Sequence, residues 1–135
     1  MNLQKSFFWL LHWLLVLISV TTVVSGIVQI FAPGFILGLL SAEITPATRQ
    51  CFGTIGMFMF LFGGLLLHVL LTRQMIAAVF FWAGLQKIGA FIAMGIGVFH
   101  EIYGPKSLLV AGFDLLSGIL IFVYMKLAAS QRSAP

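Results

Sequence analysis

The chain has 135 residues, of which 61% are hydrophobic and only 7% are charged, and its formal net charge is +4. Soluble domains carry roughly 25% charged residues, so this composition excludes a water-soluble globule, and its high hydrophobicity excludes a disordered chain. The seven basic residues are scattered and form no stripe, which argues against nucleic-acid binding. The sequence therefore predicts an all-α integral membrane protein.

Four apolar segments are each long enough to cross a bilayer as a helix, for which about 20 residues suffice. They cover residues 7–31, 47–71, 75–99 and 107–127. The pattern predicts a single transmembrane domain over residues 1–135, folded as an antiparallel four-helix bundle. Between the first two spans, residues 35–40 are apolar but too short to cross. We expect a short helix there, lying in the outer interface or folded back against the bundle.

The basic residues predict the orientation of the bundle. One side holds four basic residues and no acidic residue: Lys5, Arg73, Lys126 and Arg132. The opposite side mixes both signs of charge: Arg49, Lys106, Glu43 and Glu101. Because short cytoplasmic loops carry an excess of Lys and Arg, both termini are expected in the cytoplasm.

Small and polar residues recur at helical spacing along each span and predict the faces that pack inside the bundle. In the first span this stripe consists of His12, Ser19, Thr22, Gly26 and Gln29. In the second span it consists of Gly53, Gly56, Gly63 and Gly64. We interpret these glycines as positions of close helix packing.

Two ionisable residues fall well inside spans, Lys87 in the third and Asp114 in the fourth. An unpaired charge at mid-bilayer costs on the order of 3 kcal/mol. At roughly 1.5 Å per residue from the turn that the two spans share, their backbones differ in depth by about 7 Å, which a lysine side chain can cover. We expect an intramembrane ion pair. A role in fixing the helix register is favoured, and a ligand site or proton relay is the alternative.

His12 and His68 form a second candidate site. In antiparallel helices they lie at similar depth near the cytoplasmic face, where two imidazoles could ligate haem iron or the magnesium of a chlorin. However, His68 lies about 80° from the centre of the glycine stripe at roughly 100° per residue. Hydrogen-bonded interfacial histidines are therefore the favoured interpretation.

No catalytic residue and no metal site is predicted. The sequence lacks an HExxH motif, a GxSxG motif and a Walker loop. The single cysteine, Cys51, excludes an internal disulfide and a CxxC centre. The sequence requires no cofactor and leaves the identity of any cofactor open.

Three features resemble the DoxX-like group of small bacterial four-helix membrane proteins. They are residues 31–40 (FAPGFILGLL), residues 46–49 (PATR) before the glycine-rich second span, and Asp114 inside the fourth. The resemblance extends over nearly the whole chain and implies a four-helix bundle in a bacterial inner membrane. Members include subunits associated with thiosulfate:quinone oxidoreduction. No catalytic residue carries over, because this chain shows no matching catalytic motif.

Three functions stay open. The favoured one is a non-enzymatic accessory or structural subunit of a larger membrane complex or homo-oligomer, since the soluble parts are small and 14 phenylalanines are present. The second is a binder of a lipophilic cofactor (quinone, haem or pigment) in an electron-transfer assembly. It would use His12, His68 or the Lys87–Asp114 level. The third is a small oligomeric transporter with Asp114 as its coupling residue.

Overall fold

The computed structural model describes residues 3–132, so residues 1, 2 and 133–135 of the predicted domain lie outside the described part. Every regular element in this part is helical. The elements in chain order are α1 (Leu3–Phe31), α2 (Pro33–Leu39), α3 (Pro46–Leu71), α4 (Ala77–Phe99) and α5 (Ser107–Arg132). The predicted all-helical class is confirmed over these residues.

Four of the helices, α1, α3, α4 and α5, are long and apolar enough to cross a membrane. Their apolar segments run over 27, 26, 23 and 24 residues. At 1.5 Å per residue even the shortest extends about 35 Å, which exceeds the roughly 30 Å of a bilayer's hydrocarbon core. The four predicted apolar spans are thus confirmed as helices, with α4 beginning at Ala77 instead of residue 75.

The helix ends follow from local chemistry. Pro33 and Pro46 occupy the first positions of α2 and α3, where a backbone N–H would have no partner within the helix and proline loses nothing by lacking one. At the start of α3, Thr48 N–H donates to Thr45 Oγ1 at 3.1 Å, and Thr45 N–H donates to Thr48 Oγ1 at 2.8 Å. This reciprocal capping box fixes the position at which α3 begins.

Helices α2, α3 and α4 end in the same tight turn. The second residue after each helix has a positive φ: 54° at Ser41, 53° at Arg73 and 59° at Glu101. After α3, Gln74 N–H donates to Val69 O at 2.9 Å and Arg73 N–H donates to Leu70 O. This pair of bonds defines the Schellman motif. Glycine usually occupies its left-handed position, and here three residues with side chains do.

Helices α1 and α3 run in opposite directions with their backbones in contact. Thr22 faces Gly63, and one turn further along α1, Gly26 faces Gly56 and Phe60. A Cβ atom on Gly26 would lie 2.7 Å from the carbonyl oxygen of Gly56. The packing role predicted for the glycines holds for Gly56 and Gly63. It does not hold for Gly64, which faces open space.

Helices α4 and α5 form the second closely packed pair, also running in opposite directions. Gly84 lies against the ring of Phe122, and Gly118 lies against Ile88 and Lys87. The two pairs share one apolar core, whose most deeply buried side chains are Leu15, Leu70, Phe80 and Ile121. This core lies at the end of the molecule that contains the α3–α4 turn.

The short helix α2 covers the other end. Its Leu37 is 1% exposed, and it packs with Leu40 and Phe52 in a second apolar cluster. Tyr103, from the α4–α5 turn, closes this cluster. The observed contacts fold the short helix back against the start of α3. It begins at Pro33, two residues earlier than predicted, because proline suits the first helical turn.

Candidate functional site

A cavity of about 490 Å³ opens at the end of the molecule where the α3–α4 turn meets α1 and α5. We call it the basic aromatic cavity. Binding sites for small molecules typically measure about 300–1,000 Å³, so the cavity has the size of a ligand site. It is lined by Lys5, Phe8, Trp9, His12, Val69, Arg73, Gln74, Met75, Tyr124 and Ala128.

A hydrogen bond between α1 and α5 forms the polar wall of the cavity. His12 Nδ1 lies 2.9 Å from the Tyr124 hydroxyl, across 112 positions of sequence. When the hydroxyl donates to Nδ1, the proton of the neutral imidazole is on Nε2. His12 then has a single N–H to offer a ligand.

The tyrosine that holds His12 is itself rigidly packed. Tyr124 is 5% exposed. Its ring stacks on Phe8 with centroids 4.8 Å apart, and Phe80 lies on it at 5.4 Å. Aromatic contacts of this kind add to the free energy of area burial. The orientation of His12 is therefore set by the core of the bundle and not by a loop.

Two cations line the cavity without an acidic counterpart. Lys5 lies in the first turns of α1, and Arg73 lies in the turn after α3, where its positive φ and backbone hydrogen bond fix its position. Neither Asp nor Glu occurs among the lining residues. The charge of this lining is therefore positive and favours an anionic group.

Apart from the amide of Gln74, the remaining lining is mostly apolar. Phe8, Val69, Met75 and Ala128 contribute hydrocarbon surface, and Trp9, 61% exposed, contributes an indole with one polar N–H. The cavity thus combines cations, a hydrogen-bonded imidazole and apolar walls. This combination complements a molecule with a polar, negatively charged head and an apolar body.

The Lys87–Asp114 pair lies elsewhere, within the α4–α5 contact. Lys87 Nζ donates to Asp114 Oδ1 at 2.7 Å, and the two side chains are 5% and 11% exposed. The ammonium also lies 5.4 Å from the centre of the Phe113 ring. The structure thus brings together the two residues that the sequence paired, and neither lines the basic aromatic cavity.

A small void beside Lys87 tests whether the ion pair has room for a ligand. The void measures about 10 Å³ and is lined by side chains from all four long helices, with Ser19, Thr22 and Gln86 among its polar members. A single water molecule requires about 10–15 Å³ measured in this way. The space beside Lys87 therefore admits one water at most and excludes an organic substrate.

The two histidines do not share a site. His12 lines the basic aromatic cavity, whereas the side chain of His68 is exposed and is not part of that lining. Within residues 3–132, no hydrogen bond or ring contact joins them, and no group of three or more potential metal ligands occurs. A cofactor coordinated by both imidazoles would need a cavity that both line.

Sequence reasoning missed most of the lining. Lys5, Arg73, Trp9 and Tyr124 carry recognisable signals, since basic and aromatic residues at one end of a bundle indicate the cytoplasmic interface. From the sequence, the basic residues predict only the orientation of the bundle. A hydrogen bond between helices distant in sequence has no local signature, so the cavity emerges only from the fold.

The opposite end of the molecule carries a shallower groove, also of about 490 Å³, beside the start of α3. Its lining includes one cation, Arg49, together with Pro33, Pro46, Gln50 and Thr54. No aromatic side chain contributes to it. This groove therefore has one cation where the basic aromatic cavity has two, and it has no imidazole.

The chain matches no family model, and comparisons with curated proteins and with solved structures also found no match. The DoxX-like resemblance thus stays an expectation.

Proposed function

We propose that the protein is a non-enzymatic, multi-pass inner-membrane protein that binds an amphiphilic ligand in the basic aromatic cavity. The observation that carries the proposal is that one cavity combines two cations with no Asp or Glu in the lining, a hydrogen-bonded His12 and apolar walls. This deepens the cofactor-binder hypothesis and replaces its two-histidine site by His12, Lys5 and Arg73.

The membrane assignment is supported by what the helices expose. Large apolar side chains are exposed along all four long helices, for example Leu17 at 62%, Phe58 at 51%, Leu85 at 43% and Leu116 at 57% exposure. Soluble monomers seldom expose continuous apolar surface of this extent. A bilayer solvates such a surface, and α1, α3, α4 and α5 then form an antiparallel transmembrane bundle with α2 at one interface.

The orientation follows from the charges around the cavity. Lys5, Arg73 and Lys126 lie at the same end of the bundle, and this end carries no acidic residue among those described. By the positive-inside rule this end faces the cytoplasm. The basic aromatic cavity then opens at the cytoplasmic interface, where amphiphiles present their head groups.

The ion pair has a structural role in this proposal. Lys87 and Asp114 neutralise each other, and the neighbouring void has no room for a substrate. A transporter built around Asp114 would require a path of protonatable groups or water. The accessory-subunit hypothesis stays a prediction, because exposed apolar helices suit a lipid neighbour and a protein neighbour equally.

Fluorescence of single tryptophans tests the proposal. In one variant, Trp13→Phe and Trp82→Phe leave Trp9 in the cavity; in a matched variant, Trp9→Phe and Trp13→Phe leave Trp82, which is exposed on α4 and outside the cavity. Both are reconstituted in phosphatidylcholine and titrated with a fatty acid that is brominated in its chain. We expect saturable quenching of Trp9 only. Equal, non-saturating quenching of both indoles would contradict amphiphile binding.

A further inference from the structure

We infer that the occupant of the basic aromatic cavity is an anionic phospholipid of the cytoplasmic leaflet, with its phosphodiester held between Lys5 and Arg73. The inference rests on the proposed function and adds the chemical class of the ligand. It is carried by the charge of the cavity lining and by the combination there of two cations, an imidazole and apolar walls.

The two cations line the cavity at different depths. Lys5 is in the first turn of the α1 span. Arg73 is in the turn beyond the end of α3, and because α1 and α3 are antiparallel with Thr22 facing Gly63, Arg73 lies near the level of His12. A guanidinium presents a planar fork of N–H donors that matches the oxygens of a phosphate, and an ammonium adds a compact charge. Two cations at one interface therefore form a site for a phosphodiester.

The hydrogen-bonding imidazole of His12 lies deeper than Lys5. His12 is seven residues along α1 from Lys5, which at about 1.5 Å per residue places it about 10 Å further into the bundle. In a phospholipid, the ester carbonyls likewise lie deeper than the phosphate. When the Tyr124 hydroxyl donates to Nδ1, the Nε2–H of His12 is a suitable donor to such a carbonyl.

The apolar walls complete the sequence of contacts. Phe8, Val69 and Met75 line the cavity beside these polar groups, and acyl chains leaving the cavity would pass along the exposed apolar sides of the helices. Trp9 contributes an indole, a group that favours the head-group level of a bilayer. A soluble phosphate ester would leave this hydrocarbon surface unused.

The lack of acid in the described lining determines which head group fits. Phosphatidylcholine and phosphatidylethanolamine carry an ammonium beside the phosphate, and it would approach Lys5 and Arg73 with no carboxylate to receive it. Phosphatidylglycerol carries no such cation. Specificity thus arises from repulsion of the wrong head group as well as attraction of the right one. Basic cavities between helices on the cytoplasmic side are known sites for anionic lipids.

Native mass spectrometry in mild detergent tests this inference on the full chain. Dioleoyl phosphatidylglycerol and dioleoyl phosphatidylcholine share their acyl chains and differ in head-group charge. We expect at least about tenfold tighter binding of phosphatidylglycerol, which corresponds to about 1.4 kcal/mol. Arg73→Gln and Lys5→Gln should each remove most of this preference. Lys126→Gln, at the same end of the bundle but outside the cavity lining, should retain it.

Two further outcomes separate failure of this inference from failure of the proposed function. Equal binding of both lipids, combined with saturable quenching of Trp9, would overturn the anionic lipid and leave amphiphile binding intact. Absence of saturable Trp9 quenching would overturn both. Displacement of phosphatidylglycerol by millimolar glycerol phosphate would identify a soluble phosphate ester as the ligand and would also overturn the inference.

Discussion

The two helix pairs of this bundle are held together by different chemistry. Helices α1 and α3 meet backbone to backbone at Gly26 and Gly56, without any charged group. Helices α4 and α5 meet around the Lys87–Asp114 pair. The first contact depends on shape, because only glycine allows so close an approach. The second depends on complementary charge, because either ion alone would be costly in the interior. The pairs should therefore fail under different substitutions.

The largest effect is expected from removing one partner of the ion pair. Asp114→Asn leaves the Lys87 ammonium buried without its carboxylate, and Lys87→Met leaves the carboxylate alone. Each should destabilise the fold by about 3–5 kcal/mol, measured as a lower folded yield and unfolding midpoint in detergent. The double variant, which carries neither charge, should be more stable than either single variant. Wild-type yield for Asp114→Asn together with lost ligand binding would instead assign the pair a functional role.

The next effect belongs to the glycine contact. A Cβ atom at Gly56 would lie 2.6 Å from the Cβ of Gln29 and 2.7 Å from Gly26 O. Gly56→Ala should therefore separate α1 from α3 and cost about 1–3 kcal/mol, as overpacking does. Gly64→Ala, on the same helix but facing open space, is the matched control and should be neutral or stabilising. Equal destabilisation by both substitutions would show that backbone approach does not determine this contact.

A smaller effect distinguishes the turns at the two ends of the bundle. Arg73 and Glu101 both adopt positive φ, which costs an ordinary residue about 1–2 kcal/mol relative to glycine. Arg73→Gly and Glu101→Gly should each increase the free energy of unfolding by about 1 kcal/mol, measured as a higher unfolding midpoint. Only Arg73→Gly should weaken binding of phosphatidylglycerol, because Glu101 lies outside the cavity. If neither substitution stabilises the protein, the turns are not strained at these positions.

The smallest effect concerns Tyr103 in the α4–α5 turn. Burial raises the pKa of its hydroxyl above the ordinary value of 10.0. In the unfolded chain the phenol ionises first, so stability is retained below about pH 10 and falls as the pH rises through the folded pKa. Tyr103→Phe should reduce this alkaline loss of stability. Unfolding midpoints of the two proteins at about pH 8 and pH 11 provide the measurement, and identical pH dependence would contradict the assignment.

Much of the fold was predictable because it depends on local properties of the chain. Apolar length determines the four long helices, and Pro33 and Pro46 mark where helices begin. The Lys87–Asp114 contact was also predictable from the sequence. The depth of both residues can be measured from the turn that α4 and α5 share, and a lysine side chain is long enough to bridge the difference.

The rest depends on how helices distant in sequence meet. His12 and Tyr124 lie 112 positions apart, and nothing near either residue encodes their hydrogen bond. The glycine stripe illustrates the same limit. Gly63 and Gly64 are adjacent in sequence, yet only Gly63 contacts α1, because the rotation of α3 about its axis is set by its neighbours. The basic aromatic cavity required three helices and a turn to be placed together.

The position of the ion pair also has a consequence for biogenesis. Lys87 emerges from the ribosome 27 residues before Asp114. In a chain that spans the bilayer as proposed, α4 released alone into lipid would carry an uncompensated ammonium, at a cost of about 3 kcal/mol. Release of α4 and α5 from the translocon as one hairpin delivers the charges already neutralised. The short connection between α4 and α5 allows the two helices to insert together. The Lys87–Asp114 pair therefore favours entry of α4 and α5 into the membrane as a unit.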